Sequence, residues 1–210
     1  MTAGIVGLGL IGGSLAKAYR AHGARVLAFD TDGAVLSFAQ LDGTVDAVLT
    51  KENVSECDIV LIAVRPGAAI SYLREAAPHI GARPVVIDCC GVKREVCETA
   101  FALAREHGFT FLGGHPMAGS EKTGLSNASE TLLENAYYII TPTTKSPSPA
   151  VEELTGLVRS LGAIPLVLGY EQHDYATAAI SHLPHVIAYS LVNLVRESDD
   201  ENEIMKTIAA

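Results

Sequence analysis

The first thirty residues restrict the possible folds more than any other stretch of this chain. Ala3-Gly4-Ile5-Val6-Gly7 is a short apolar run that leads directly into Gly7-Leu8-Gly9-Leu10-Ile11-Gly12, a G-x-G-x-x-G pattern. A helical stretch, Ser14 to His22, follows it. Next comes a second strand-like run, Arg25 to Phe29, ending in Asp30. Strand, glycine turn, helix, strand and acid in this order predict the opening βαβ unit of a dinucleotide-binding sheet. Gly7 permits the tight turn, Gly9 lets backbone approach a pyrophosphate, and Gly12 lets the helix pack close to the sheet. The amino terminus of the helix that follows presents free N–H groups and a positive dipole end to the phosphates. Asp30 falls about 20 residues past the glycines, where a carboxylate accepts hydrogen bonds from an adenosine ribose and repels a 2′-phosphate. That favours NAD over NADP. A blander role for Asp30 is to cap a helix over Gly33–Leu41, with Asp32 as a rival cap.

The alternation continues. Asp58–Val64 is an unbroken apolar run, as expected of a central parallel strand. It ends at Arg65-Pro66-Gly67, a loop at the same sheet edge, and helical sequence follows to about His79. Pro84–Asp88 is another buried strand, leading into Cys89-Cys90-Gly91-Val92-Lys93 and a helix from about Arg94 to His107. Thr131–Asn135 reads as helical, Ala136–Thr141 as a strand, and Pro142–Pro149 as a surface connection. Ala150–Leu161 is an amphipathic helix and Ile164–Leu168 a last strand. The prediction is an α/β domain over residues 1–169, with a doubly wound, Rossmann-type parallel sheet.

The character changes at Gly169. From Glu171 to about Arg196, Ala176, Ile180, Leu183, Ile187, Leu191 and Leu194 recur at three- and four-residue steps, the period of one long amphipathic helix. Pro184 removes a helical hydrogen bond, so a kink or a freed carbonyl is expected near Ile180. Ser198 with Glu201 fits a capping box for a last helix reaching Ala210. Residues 170–210 therefore read as the first helices of an all-α second domain.

Two places carry chemistry beyond the glycines. Gly113-Gly114-His115-Pro116-Met117-Ala118-Gly119-Ser120-Glu121-Lys122-Thr123-Gly124 holds an imidazole, a carboxylate and an ammonium among flexible glycines. Glycine and proline at this density predict irregular backbone, placing His115 on a loop at the carboxyl end of the Phe109–Leu112 strand, the edge where open α/β sheets bind ligands. The alternative is an ordinary turn with a solvated His. On the long helix, Ser181 and His185 are four apart and share a face. They serve either a ligand or the loose carbonyls of a kinked helix. No acid at helical spacing supports a metal site there.

The net charge of −9 argues against a nucleic-acid partner. No uninterrupted apolar run approaches the roughly 18 residues of a membrane span. The apolar start, Met1 to Leu15, is broken by glycines and lacks a basic lead, so it reads as a strand and not a secretion signal. Cys57, Cys89, Cys90 and Cys97 show neither metal-ligand nor disulfide-scaffold spacing, which fits reduced thiols in the cytoplasm.

Three blocks together resemble the prephenate/arogenate dehydrogenase family of tyrosine biosynthesis: Gly7–Leu15, Gly114–Gly124, and Ser181-His182-Leu183-Pro184-His185. The first block is shared with many nicotinamide enzymes; the other two are specific. The resemblance implies NAD-dependent oxidation of prephenate (or arogenate) at the ring carbinol, with loss of the ring carboxylate as carbon dioxide. It implies that His115 is the catalytic residue, accepting a hydrogen bond from the ring hydroxyl and helping to withdraw its proton. Ser120, Glu121, Ser181 and His185 fall on substrate-side positions, with Glu121 linked to gating or ordering of the pocket. The cofactor-side candidates are Gly7, Gly9, Leu10, Ile11, Gly12, Asp30, Val64, Arg65, Pro66 and Gly91, and no residue is a candidate metal ligand.

This sequence departs from the family pattern in two ways. Gly91 stands where much of the family carries a Ser whose hydroxyl assists the His, so water or Cys90 would have to fill that gap. The family also continues past a stretch like Thr207–Ala210 into a segment that leads to a carboxylate-pairing Arg. The expectation is therefore a piece of a longer, homodimeric chain, weakly active or inactive by itself. Alternatives are another two-domain nicotinamide-dependent dehydrogenase, or a cofactor-binding protein without catalysis.

Overall fold

The computed structural model describes residues 1–199, which divide into two compact units, Met1–His173 and the segment from Asp174 onward. The capping box at Ser198–Glu201 and the helix expected to follow it fall outside the described residues, apart from Ser198 and Asp199 themselves.

The first unit is one eight-stranded sheet covered on both faces. The strands are β1 (Thr2–Val6), β2 (Arg25–Phe29), β3 (Ala47–Val48), β4 (Ile59–Ile62), β5 (Val85–Asp88), β6 (Thr110–Pro116), β7 (Tyr137–Thr141) and β8 (Ile164–Val167). Their order is β3-β2-β1-β4-β5-β6-β7-β8. The first six are parallel; β7 runs antiparallel to β6, and β8 is parallel to β7. The chain crosses from one half of the sheet to the other between β1 and β4, leaving a crevice outside their carboxyl ends. The doubly wound sheet expected from the sequence is present, with an antiparallel addition at β7.

The helices are α1 (Leu10–Ala21), α2 (Gly33–Leu41), α3 (Pro66–Ile80), α4 (Arg94–His107) and α5 (Ser148–Ser160). Alternation along the strands sorts the core into two layers. Ile5, Leu61, Ile87, Leu112 and Ile140 join Leu15, Tyr19, Leu154 and Val158 on the side of α1 and α5. Val6, Val60, Ile62, Val86 and Phe111 join Leu73, Ile80, Val96 and Ala100 on the side of α3 and α4. At ~25 cal/mol per Å² of apolar surface, burying each such side chain contributes about 1.5–3 kcal/mol.

Two sequence expectations are corrected here. Thr131–Asn135 is not a helix but a run of turns, closed by Glu134 N donating to Thr131 O (3.0 Å) and Asn135 N to Gly162 O (2.9 Å). Five residues between a 3-10 turn and a strand are too few to nucleate a stable helix without packing on all sides. Asp30 is also not the cap of α2. Asp32 takes that place, accepting from Ala34 N (2.9 Å) and Val35 N (3.3 Å).

Beyond β8 the chain enters α6 (Tyr170–Thr177), passes through a π turn at Ala178–His182 and continues as α7 (Leu183–Ser198). The long helix is thus interrupted where Pro184 was expected to disturb it. Proline has no N–H for the Ile180 carbonyl, and widening one turn to π geometry absorbs the mismatch without a break.

Candidate active site

The glycine turn is built from close contacts that only hydrogen side chains allow. Gly7 adopts φ +90°, and a Cβ there would lie 2.5 Å from Val64 Cγ1. A Cβ on Gly12 would lie 1.8 Å from the Gly7 carbonyl oxygen, so α1 starts against the turn itself. Gly9, the residue before α1, is exposed and a Cβ there would meet nothing within 4 Å. Backbone can therefore be approached from solvent at the helix N-terminus, beside Leu10 and Ile11. Asp30, half-buried at the end of β2, ties the turn down: its Oδ2 accepts from Leu8 N (2.6 Å) and its Oδ1 from Asp32 N (2.9 Å). Each carboxylate oxygen keeps a second lone pair for a hydroxyl donor. A cleft of about 420 Å³ lies here, lined by Gly7, Phe29, Asp30, Val64 and Tyr72 among others. Next to it, Pro66 opens α3 at its first position and Arg65 is exposed just before it. Open backbone, a positive helix end and a ribose-facing acid fit a dinucleotide.

The second half of the site lies along β5 and β6, and here the structure corrects the sequence reading. His115 is not on a loop but in β6, opposite Ile139 of β7. Gly113 and Gly114 are regular strand residues. A Cβ on Gly113 would lie 1.9 Å from Thr141 Oγ1, and one on Gly114 would lie 2.6 Å from the Asp88 carbonyl oxygen. These glycines let two strands and α4 close together; they do not loosen the backbone. In register, Gly113 pairs with Asp88, the last residue of β5, so His115 stands two residues beyond that strand's end. The strand carries the imidazole past the sheet edge on rigid backbone.

The ring of His115 is held from one side. Its Nδ1 lies 2.8 Å from Nε2 of His173, which is fully buried in the first turn of α6. The two rings meet edge to face, at 71° with centroids 5.0 Å apart. The opposite nitrogen, Nε2, faces the loop after β5: a Cβ on Gly91 would lie 3.7 Å from it. Cys90 does not substitute for the absent hydroxyl, because its Sγ donates to the Val64 carbonyl (3.4 Å). Burial pushes that thiol well above its ordinary range, and pushes Cys89 up to about 12, so both remain protonated at neutral pH.

Beneath His115 lies a buried ion pair that the sequence reading missed. Lys93, fully buried, donates to Asp88 and to the Gly114 carbonyl (2.5 Å). Asp88 in turn accepts from Cys90 N (3.1 Å) and Gly114 N (3.3 Å). The β5 loop and the His115 strand are thus fastened to one charge pair. Nothing in Cys-Cys-Gly-Val-Lys-Arg marks that lysine as buried. His173 did leave a signal: it lies three residues before Ala176 and extends the apolar stripe of the long helix by one turn.

The other predicted residues lie on two further stretches of the chain. Ser120 and Glu121 are exposed on the stretch after β6, where Ser120 Oγ accepts from Lys122 N (3.2 Å). Ser181 and His185 belong to the second unit, in the π turn and the first turn of α7. His185 Nδ1 donates to the Ser181 carbonyl (2.8 Å), as the carbonyl-satisfying alternative for this pair anticipated.

A nucleotide-binding sheet with an imidazole fixed at its carboxyl edge is the arrangement of a Rossmann-type dehydrogenase domain. Residues 15–166 match the model of the prephenate dehydrogenase nucleotide-binding domain, and residues 170–210 that of the prephenate dehydrogenase dimerization domain. The chain belongs to the prephenate dehydrogenase family. It is 36% identical to a prephenate dehydrogenase of Bacillus subtilis over 98% of its length, and 35% identical to one of Lactococcus lactis. It spans 57% of the length of each. Among solved structures it resembles Aquifex aeolicus prephenate dehydrogenase in complex with hydroxyphenyl propionate and NAD+ (TM-score 0.86, 27% identity, 98% of this chain and 73% of that one). It also resembles Synechocystis arogenate dehydrogenase (TM-score 0.86, 28% identity, 100% of this chain and 75% of that one). By length and composition, the helix over Tyr170–Ser198 could cross a membrane. The same helix lies within the stretch that matches the dimerization-domain model.

Proposed function

We propose that the protein to which these residues belong oxidises prephenate, or its amino counterpart arogenate, with NAD as the hydride acceptor. The observation that carries this reading is the His115 imidazole, held through Nδ1 with Nε2 turned toward Gly91 at the sheet's carboxyl edge. When bound, the dinucleotide supplies an acceptor for one hydride. The chain does the rest. Gly7, Gly9, Gly12 and the α1 N-terminus at Leu10 and Ile11 bind the pyrophosphate. Asp30 accepts from ribose hydroxyls and repels a 2′-phosphate, which favours NAD over NADP. Val64, Arg65, Pro66 and Gly91 border the cofactor on the adjoining loops.

His115 Nε2 accepts a hydrogen bond from the ring hydroxyl. It takes that proton as the carbinol C–H pair leaves as hydride, giving a ketone. The pair of the C–carboxylate bond then flows into the ring, carbon dioxide departs, and the ring becomes aromatic, which drives the sequence forward. Ser120, Glu121, Ser181 and His185 bind or order the substrate. Relatives named as prephenate and arogenate dehydrogenases support this substrate class. The dimerization-domain match supports a homodimer, and the free thiols Cys57, Cys89 and Cys90 suit the reducing cytoplasm.

The test is to incubate the full-length protein with prephenate or arogenate and NAD while following the absorbance of the reduced cofactor. Steady reduction with release of carbon dioxide is expected, and weaker reduction with NADP. NAD binding without reduction by either substrate would overturn the activity and favour a cofactor-binding role.

A further inference from the structure

We infer that His173 is the positioning residue that decides which nitrogen of His115 carries its proton, and hence whether His115 can act as a base. The inference rests on the function proposed above. A neutral imidazole has one N–H and one bare nitrogen. To take a proton through Nε2, His115 must keep its own on Nδ1, and that N–H needs an acceptor. His173 Nε2 is 2.8 Å away and supplies it. His173 is then neutral, with its proton on its own Nδ1. The reverse arrangement, with His173 donating to His115 Nδ1, puts the His115 proton on Nε2 and leaves nothing to accept the substrate's.

His173 is well placed to hold this geometry. It is fully buried, and its backbone N–H donates to the Gly169 carbonyl (3.0 Å) in the first turn of α6. His115 is fixed by the β6–β7 ladder and by the Lys93–Asp88 pair below Gly114. Strand pairing and a helix turn thus fix the backbone from which each ring projects. His173 lies beyond the matched nucleotide-binding stretch and within the matched dimerization stretch, yet it packs with β6. The base thus takes its tautomer from the chain segment that opens the next domain. Second partners of this kind orient reactive imidazoles, and their loss typically costs 10- to 100-fold.

The experiment uses the full-length protein with selectively labelled histidines. Ring ¹⁵N shifts of wild type are expected to show His115 protonated on Nδ1 and bare on Nε2. His173→Leu should shift that population toward the Nε2–H form and lower kcat by about 10- to 100-fold, with the KM for NAD unchanged within about twofold. His173→Gln, whose carbonyl oxygen can accept from Nδ1, should recover most of the lost turnover. A wild-type His115 protonated on Nε2 would overturn the inference whether or not either variant folds. So would a Leu variant as active as wild type, or a Gln variant no better than Leu. If His115→Asn keeps full turnover, the proposed function fails instead, and the wild-type spectrum still decides the tautomer.

Discussion

In the proposed reaction His115 acts as the base, and its surroundings decide whether it can. Replacing it with Asn keeps the ring's volume nearly filled but removes the proton acceptor. Turnover in the proposed reaction should fall by about 10²- to 10⁴-fold, with NAD affinity by calorimetry unchanged. Gly91 offers the complementary experiment. Its backbone lies outside the left-handed region and a Cβ would stand clear at 3.7 Å from His115 Nε2, so a side chain fits. Gly91→Ser should leave thermal stability within about 0.5 kcal/mol and raise kcat, because the added hydroxyl stands beside Nε2, where it can hydrogen-bond the substrate. A lower kcat in a folded protein would show that the space is needed for substrate. At this scale the sequence was informative where function is local. The contacts of Gly7, Gly12 and Asp30 lie largely within one βαβ unit, so spacing along the chain records that turn. His173 and Lys93 act across 58 and 21 residues of chain, on His115 and the Gly114 carbonyl, and spacing says nothing about such partners.

Among the elements, β6 shows how composition misleads. Two adjacent glycines and a proline suggest a loop, yet Gly113-Gly114-His115-Pro116 is paired strand. Glycine is required by the approach of Thr141 and Asp88, a tertiary demand that resembles a turn signal in one dimension. The buried pair that ties β5 to β6 should be sensitive to halving. Lys93→Met strands a carboxylate in the core and should cost about 3–5 kcal/mol in urea denaturation, whereas adding Asp88→Asn should recover part of that loss. A milder clip joins β1 to the start of β4. Asp58 accepts from Thr2 N (2.7 Å) and from Arg83 (2.8 and 3.1 Å), and the Thr2 bond, then Arg83, hold its carboxyl below the usual range. A carboxyl lowered on folding stabilises the protein above its unfolded value, near 3.9, and the stabilisation is lost as pH falls through the folded value. Asp58→Asn should therefore cost about 1 kcal/mol at neutral pH, with the difference from wild type disappearing in acid. Denaturation curves recorded from pH 7 downward would check the sign.

On the scale of the whole molecule, the described residues of the second unit form a helix whose large apolar side chains are exposed. Ile180, Leu183, Ile187, Leu191 and Leu194, the apolar side of the amphipathic helix read from the sequence, are 51–70% exposed. Apolar faces of this extent associate. The 210-residue chain should be dimeric or larger by light scattering, and Leu191→Asp should shift it toward monomer without altering NAD binding. A wild-type monomer that binds no apolar dye would contradict this. What the sequence determined by itself was periodic or local: strand–helix alternation, the glycine turn, Asp30, and the helix whose proline forces a π turn. Hydrophobic period and backbone sterics act between near neighbours, so one dimension records them. Tertiary structure alone decided that His115 rides a strand, that His173 backs it, and that Lys93 lies buried beneath it. Each of these depends on which atoms meet across the folded sheet, where distance along the chain no longer measures distance in space.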